Sequence, residues 1–330
     1  MLVTLLYFLV IVCLVSFVVT RLTIGYTKGS ACLVGKTAIV TGGNSGIGYE
    51  VSLALATRGC RVIIADRDDA EASKERIIKE TGNKNVVAKH LDLASYKSVR
   101  EFADDINRTE KSLHILLNNA GVGALPELHT EDGVNAVFQV NHYGGFLLTH
   151  LLVDLLKKSA PSRIVFTSSI LAFQHNLTEE NMNPINYNPT STYASTNVYS
   201  NTKFCCLVVA NEFAKRLERF GVTCNSLHPG TVRTNIFIRS IKRGRLQDEI
   251  LLYIGRIFNY ITGKNAWEGA QTSIHLTASN DVEKITGKHF WDCKVFPFLP
   301  PKANNKNICK MVWQKSEEYS RLKESEKIKE

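Results

Sequence analysis

Residues 37–48 constrain this chain more than any other stretch. Thr37-Ala38-Ile39-Val40 is a short apolar run, and Thr41-Gly42-Gly43-Asn44-Ser45-Gly46-Ile47-Gly48 follows it directly. Such a run is the pattern of a strand buried on both faces. Helical periodicity begins at residue 46, so the glycines fall in a strand-to-helix turn. Glycines let the backbone turn tightly and approach a pyrophosphate. The first helical N–H groups and the positive end of the helix dipole then attract the anion. The spacing is G-x-x-x-G-x-G, one step longer than G-x-G-x-x-G.

Asp66 ends the next apolar run, about 20 residues further on. A carboxylate there accepts the ribose hydroxyls of NAD and repels the 2′-phosphate of NADP, whereas the neighbouring Arg67 attracts that phosphate. The strand-end position of Asp66 favours NAD, with NADP as the alternative.

From residue 35 onward strand-like and helix-like segments alternate. Strands are predicted at 37–40, 62–65, 86–90, 115–117, 163–167 and 222–227, and helices at 46–58, 69–80 and 198–220. This alternation predicts one α/β domain, a doubly wound parallel sheet covered on both faces, over residues 35–301. Residues 22–34 read as a linker and residues 302–330 as a charged helical tail. Residues 170–197, rich in Asn, Thr and Pro, read as a long loop over the site.

Residues 1–20 carry no Asp, Glu, Lys or Arg and are dense in Leu, Val, Ile and Phe. About 20 apolar residues span a bilayer. No basic residue precedes the run, and Phe17-Val18-Val19-Thr20 is a poor cleavage site, so an uncleaved anchor over residues 1–21 is expected rather than a signal peptide. Arg21, Lys28 and Lys36 follow the run, which predicts a catalytic domain in the cytosol on a membrane such as the endoplasmic reticulum. Eight cysteines without a C-x-x-C pair fit a reducing compartment.

The chain has a formal charge of +9. Part of it lies in residues 233–264, where Arg239, Lys242, Arg243 and Arg245 are interleaved with Phe237, Ile238, Leu251 and Tyr253. Basic and apolar together suggest a segment near an anionic membrane surface, or an amphipathic helix packed on its own domain. Nothing in the chain resembles a nucleic-acid-binding motif. No His, Cys or Asp cluster has metal-ligand spacing, so no metal is expected. The expected partners are a lipophilic small molecule and membrane lipid, with a homodimer admitted.

Further motifs follow in order: Leu91-Asp92-Leu93, Asn118-Asn119-Ala120-Gly121, Asn141, Ser168-Ser169, Tyr199-x-x-x-Lys203, and Pro229-Gly230-Thr231-Val232-Arg233-Thr234. With the glycine turn they resemble the short-chain dehydrogenase/reductase family, and the resemblance runs from about Gly35 to Phe290. The apolar N-terminus and the long Ser-to-Tyr interval are most similar to its membrane-anchored retinol dehydrogenase-like branch. The resemblance implies a Rossmann-type fold and a nicotinamide-dependent alcohol dehydrogenase or carbonyl reductase.

Physical reasoning supports the same chemistry. A hydride leaving a carbinol carbon requires the hydroxyl proton to leave as well. A free tyrosine, with a pKa of about 10, is a poor base at neutral pH. A lysine four residues later lies on the same helix face, and its charge favours the phenolate. The family pattern makes Tyr199 the general base or acid and has Lys203 also hold the nicotinamide ribose. Ser169 then holds the substrate oxygen, and Asn141 orders a proton-relaying water. Gly42, Asn44, Ser45, Gly46, Ile47, Gly48, Asp66, Arg67, Asp92, Asn119, Gly121, Tyr199, Lys203 and Thr234 are expected around the cofactor. For Asp92 the alternative is a helix cap. His228, His142 and His175 read as satisfied structural histidines. A lipophilic alcohol, aldehyde or ketone of retinoid, isoprenoid, steroid or fatty type is the expected substrate; an isomerase, a cyclase or a silent binding protein on the same scaffold is the alternative.

Overall fold

The computed structural model describes residues 2–29, 31–123, 129–183, 192–233, 253 and 257–329, without the side chains of residues 2–10, 13 and 192–195. Its strands are β1 (Thr37–Thr41), β2 (Arg61–Asp66), β3 (Val86–His90), β4 (Ile115–Asn118), β5 (Ser162–Thr167), β6 (Val222–His228), β7 (His289–Trp291) and β8 (Lys294–Val295). They form a sheet of order β3-β2-β1-β4-β5-β6-β7-β8. Pairing is parallel through β7, and β8 turns back antiparallel on β7 at the edge.

Alternate residues along each strand explain the double winding. Ile39, Ile63, Leu116, Ile164 and Phe166 point to one face. There they meet α4 (Tyr96–Thr109), α6 (Gly144–Lys158) and α7 (Thr192–Leu217). Val40, Ile64, Leu117, Val165 and Leu227 point to the other face. That face carries α2 (Gly46–Thr57), α3 (Glu71–Thr81) and α8 (Ala266–Ala278). Both sets are apolar because both faces are covered, which is why the strands read as unbroken apolar runs. Local signals close the helices. Ser95 caps α4 by accepting from the Ser98 N–H at 3.3 Å, a contact worth about 1 kcal/mol. Gly82 ends α3 in the left-handed region, at φ +70°.

Three segments differ from their sequence patterns. Within residues 170–197, a 3₁₀ turn spans Ile170–Gln174, and α7 already begins at Thr192. The charged tail contains α9 (Lys306–Tyr319), whose Cys309, Val312 and Trp313 join the main core cluster. Trp313 packs edge-on against Phe146 and Phe213, at ring distances of 5.1 and 5.0 Å. Residues 22–29, part of the stretch read as a linker, lie along α8, and Leu33 N–H donates to the Arg58 carbonyl at the end of α2. Arg21 pairs with Glu268, Tyr26 lies 5.6 Å from the Trp267 ring, and Thr27 N–H donates to Gln271.

The N-terminal residues Leu2–Thr23 form α1, a helix of 22 residues. Among the described residues no helix is long and apolar enough to cross a membrane.

Candidate active site

The strand order reverses between β1 and β4. In open parallel sheets the crevice at the carboxyl ends of two such strands is where ligands bind. Thr41 stitches the two ends together. Its hydroxyl donates to the Leu117 carbonyl (3.3 Å) and accepts from the N–H groups of Asn119 (2.9 Å) and Ala120 (3.0 Å). The Asn119 amide returns a bond to the Thr41 carbonyl at 3.0 Å.

The glycine turn wraps this seam. Gly42 has φ +66°, and a Cβ there would lie 3.0 Å from the Ala120 Cα. A Cβ on Gly48 would run into the Gly42 carbonyl oxygen. Gly46, at φ +55°, would instead point a Cβ into open space at the start of α2. Ser45 precedes that helix in extended backbone, and its side chain makes no capping bond. An open helix N-terminus lined by glycine is a cradle that suits a pyrophosphate. Ile47 packs part-buried on the α2 side of the core.

Asp66 lies beside the same turn. Its carboxylate accepts from the Asn44 N–H (3.2 Å) and the Asp68 N–H (3.1 Å). Asn44 is itself tied to the start of α3 through Ser73 and Asp69. Arg67 is half-exposed and lies 3.5 Å from Asp68. The Asp92 carboxylate accepts from the Ala94 N–H at 2.8 Å, so it closes the turn after β3.

On the far side of the seam, Tyr199 and Lys203 occupy successive turns of α7, with the Lys203 ammonium 5.6 Å from the Tyr199 ring centre. Lys203 is buried and donates to the Thr167 carbonyl at 3.0 Å. A Cβ on Gly121 would lie 3.2 Å from the Lys203 Nζ and 3.4 Å from the Asn141 Oδ1. Gly121 therefore fills the gap between those two side chains. Asn141 sits in a single π-helical turn, Gln139–Tyr143, inserted between the short helix α5 (Ala136–Phe138) and α6. Such insertions re-aim side chains and are frequent at functional sites. The Asn141 amide pairs with both the N–H and the carbonyl of Val122, at 2.7 and 2.9 Å. It also donates to Thr202 Oγ1.

The two serines after β5 make different bonds. Ser168 is committed to structure: its hydroxyl donates to the Lys203 carbonyl at 2.6 Å. Ser169 Oγ accepts from the Leu171 N–H at 3.2 Å, and the next N–H, of Ile170, donates to His228 Nδ1 at 3.1 Å. That bond requires a neutral His228 ring. Burial, helped by the nearby His289 and Lys264, pushes the ring down to about 3. His142 bonds Ser316 and His175 bonds the Pro301 carbonyl, so all three histidines have structural partners. Thr234 lies outside the described residues, as do 235–252 and 254–256 of the basic and apolar segment.

Sequence reasoning passed over three participants. Thr41 stood in the glycine motif without a role. The Thr167 carbonyl and the Val122 peptide act through backbone groups that every residue type carries, so no side-chain signal marks them.

Together the sheet order and the glycine turn at its switch point define a dinucleotide-binding α/β fold. Residues 36–180 match the short chain dehydrogenase family. Retinol dehydrogenase 12 of Bos taurus is 38% identical over 294 residues, covering 88% of this chain and 88% of that protein. Retinol dehydrogenase 14 of Mus musculus is 40% identical over 298 residues, covering 86% of this chain and 85% of its own length. A solved structure of an uncharacterized protein from Mycobacterium paratuberculosis superposes with a TM-score of 0.67 at 24% identity, covering 90% of this chain and 98% of that one, a likeness of fold. The chain belongs to the short-chain dehydrogenase/reductase family and is an NAD(P)-dependent alcohol dehydrogenase or carbonyl reductase.

Proposed function

We propose that this enzyme interconverts a lipophilic alcohol with its aldehyde or ketone at a membrane surface, with Tyr199 moving the proton. The observation that carries this reading is the convergence of Tyr199, buried Lys203, Gly121 and Asn141 beside the glycine cradle. A nicotinamide bound there supplies hydride acceptance and donation. Gly42, Asn44, Ser45, Gly46, Ile47 and Gly48 would hold its pyrophosphate, Asp66 and Arg67 its adenosine ribose, Asp92 its adenine, and Asn119, Gly121, Lys203 and Thr234 its nicotinamide half.

Ser169 donates its O–H to the substrate oxygen while accepting from Leu171, and so steadies charge developing on that oxygen. Tyr199 exchanges a proton with the same oxygen, and Lys203, its ammonium 5.6 Å from the Tyr199 ring centre, favours the phenolate. The Asn141 side chain is committed to Val122 and Thr202, so a relaying water would rest on its main-chain carbonyl. That carbonyl also accepts from the Cys206 thiol at 3.1 Å.

NAD is the favoured cofactor. The Asp66 carboxylate is fixed by two backbone N–H groups, which supports its reading as the group that repels a 2′-phosphate. Asp66→Ala is expected to move the ratio of kcat/KM values toward NADP by about tenfold or more. Steady-state kinetics with both cofactors check this, and an unchanged ratio removes Asp66 from the discriminating role.

The uncharged run over residues 1–20 supports an anchor, with the domain on the cytosolic side of the endoplasmic reticulum and lipid as neighbour. Retinol dehydrogenase names among the relatives support a retinoid-like substrate. Arg21 bonds Glu268 and the Gly263 carbonyl, so the clean truncation ends at Thr20 and keeps Arg21. This truncation is expected to leave the protein in the supernatant after carbonate extraction. Continued sedimentation with membranes would show that another surface anchors it.

A further inference from the structure

Lys264 lies far from the proton-handling residues in sequence, yet it closes the neck of the segment that follows the Pro229–Thr234 motif. Its backbone forms a parallel bridge with Val232. Its N–H donates to the Thr231 carbonyl at 2.8 Å, and its carbonyl accepts from Arg233 at 2.9 Å. The side chain turns back on the same motif. It is 3% exposed, it donates to the Pro229 carbonyl at 3.4 Å, and its ammonium pairs with the Asp292 carboxylate. Gly230 has φ +87°, and a Cβ there would sit 2.7 Å from the Lys264 Nζ and Cε. Residues 229–233 are thus gripped from both ends by one residue.

The partner carboxylate occupies a costly conformation. Asp292 and Cys293, at φ +50° and +61°, form the two-residue turn between β7 and β8. A turn with two positive φ values normally takes Asn-Gly. Side chains held in the left-handed region persist where their surroundings over-determine them, and they cluster at functional sites. Two contacts do so here. The Cys293 N–H donates to Thr272 Oγ1 at 3.2 Å, and Gly25 packs so tightly that a Cβ would run into the Asp292 carbonyl.

We propose that Lys264 and Asp292 form a positioning clamp that holds residues 229–233 in register with the cofactor cradle. The clamp rests on the reading of residues 229–234 as the flank of the nicotinamide. It reaches the substrate side as well. The Lys264 charge helps keep the His228 ring neutral, and that ring accepts from the N–H next to Ser169. Neither clamp residue touches reacting atoms; both act through Pro229, Gly230 and His228.

The test uses full-length enzyme in detergent. Lys264→Met or Asp292→Asn alone strands a buried charge and lowers stability whatever the role. The decisive protein is the double variant Lys264→Met/Asp292→Asn, which removes both charges, and asparagine accepts the left-handed turn at least as well as aspartate. Its unfolding midpoint is expected within a few degrees of the parent. Its KM for the nicotinamide cofactor is expected to rise about tenfold, while kcat at saturating cofactor falls by about twofold at most. A double variant with parental stability and parental cofactor KM overturns the clamp. So does one in which kcat, cofactor affinity and stability fall together. Wild-type enzyme without saturable cofactor dependence overturns the underlying reading of residues 229–234 instead, an outcome separable from the other two.

Discussion

Tyr199→Phe is expected to lower kcat by about 10²–10⁴-fold, the range a positioned general acid or base supplies, while cofactor affinity stays within about twofold. The substitution removes one oxygen and keeps the ring. That ring is 7% exposed and faces the Lys203 ammonium, so packing survives and the loss is chemical. Lys203 keeps its bond to the Thr167 carbonyl, so the cofactor side of the site is undisturbed. Turnover is read by nicotinamide absorbance and binding by quenching of protein fluorescence. Near-parental turnover would remove Tyr199 from the proton-transfer role.

Acidification is expected to destabilise the fold steeply below about pH 6.5. Burial pushes four histidines down: His142 to about 3, with Lys203 adding to the effect, and His228 to about 3, with His289 and Lys264 adding. His150 and His289 fall to about 4, again through burial. Each ring binds a proton more weakly in the folded chain than in the unfolded one. Between the two pKa values the unfolded chain therefore takes up more protons, and stability falls as the pH drops. The stabilisation is complete above about 6.5 and is lost progressively toward 3–4. At 1.36 kcal/mol per pKa unit, each ring costs about 2 kcal/mol by pH 5, and the four together rival a typical folding free energy. Urea midpoints at pH 7.5 and 5.0 test this, and equal midpoints would refute it. His150→Phe should flatten part of the slope. Its ring is enclosed by Phe146, Phe213 and Trp313, and its Nε2 has no hydrogen-bond partner among the described residues.

Much of this was legible in the chain itself. Strand cores at 37–40 and 163–167 read correctly because both sheet faces are covered and the apolar signal is nearly continuous, whereas the edge strand at 86–90 rests on the shorter run Val86–Ala88. Strand ends slipped by one residue where capping and pairing decide. The start of α7 at Thr192 was obscured because Asn, Thr and Ser there lack an apolar period. The docked tail was obscured because α9 buries few side chains, Trp313 foremost, and keeps its charges outside. The family pattern favours Ser169 over Ser168, and the physical reason, the bond from Ser168 to the Lys203 carbonyl, comes from the structure.

By itself, the amino-acid order determined the alternating layers, the glycine turn with its acidic partner, and the four-residue spacing that sets Tyr199 and Lys203 on one helix face. These follow from local periods and steric rules that operate within a few residues. Tertiary structure alone decided that Gly121 fills the gap between Lys203 and Asn141, that residues 22–29 lie along α8, and that Lys264 grips Pro229 and Asp292. Those contacts join segments far apart in the chain, several through backbone carbonyls. The route of the chain through the sheet sets such contacts, and no residue type announces them in advance.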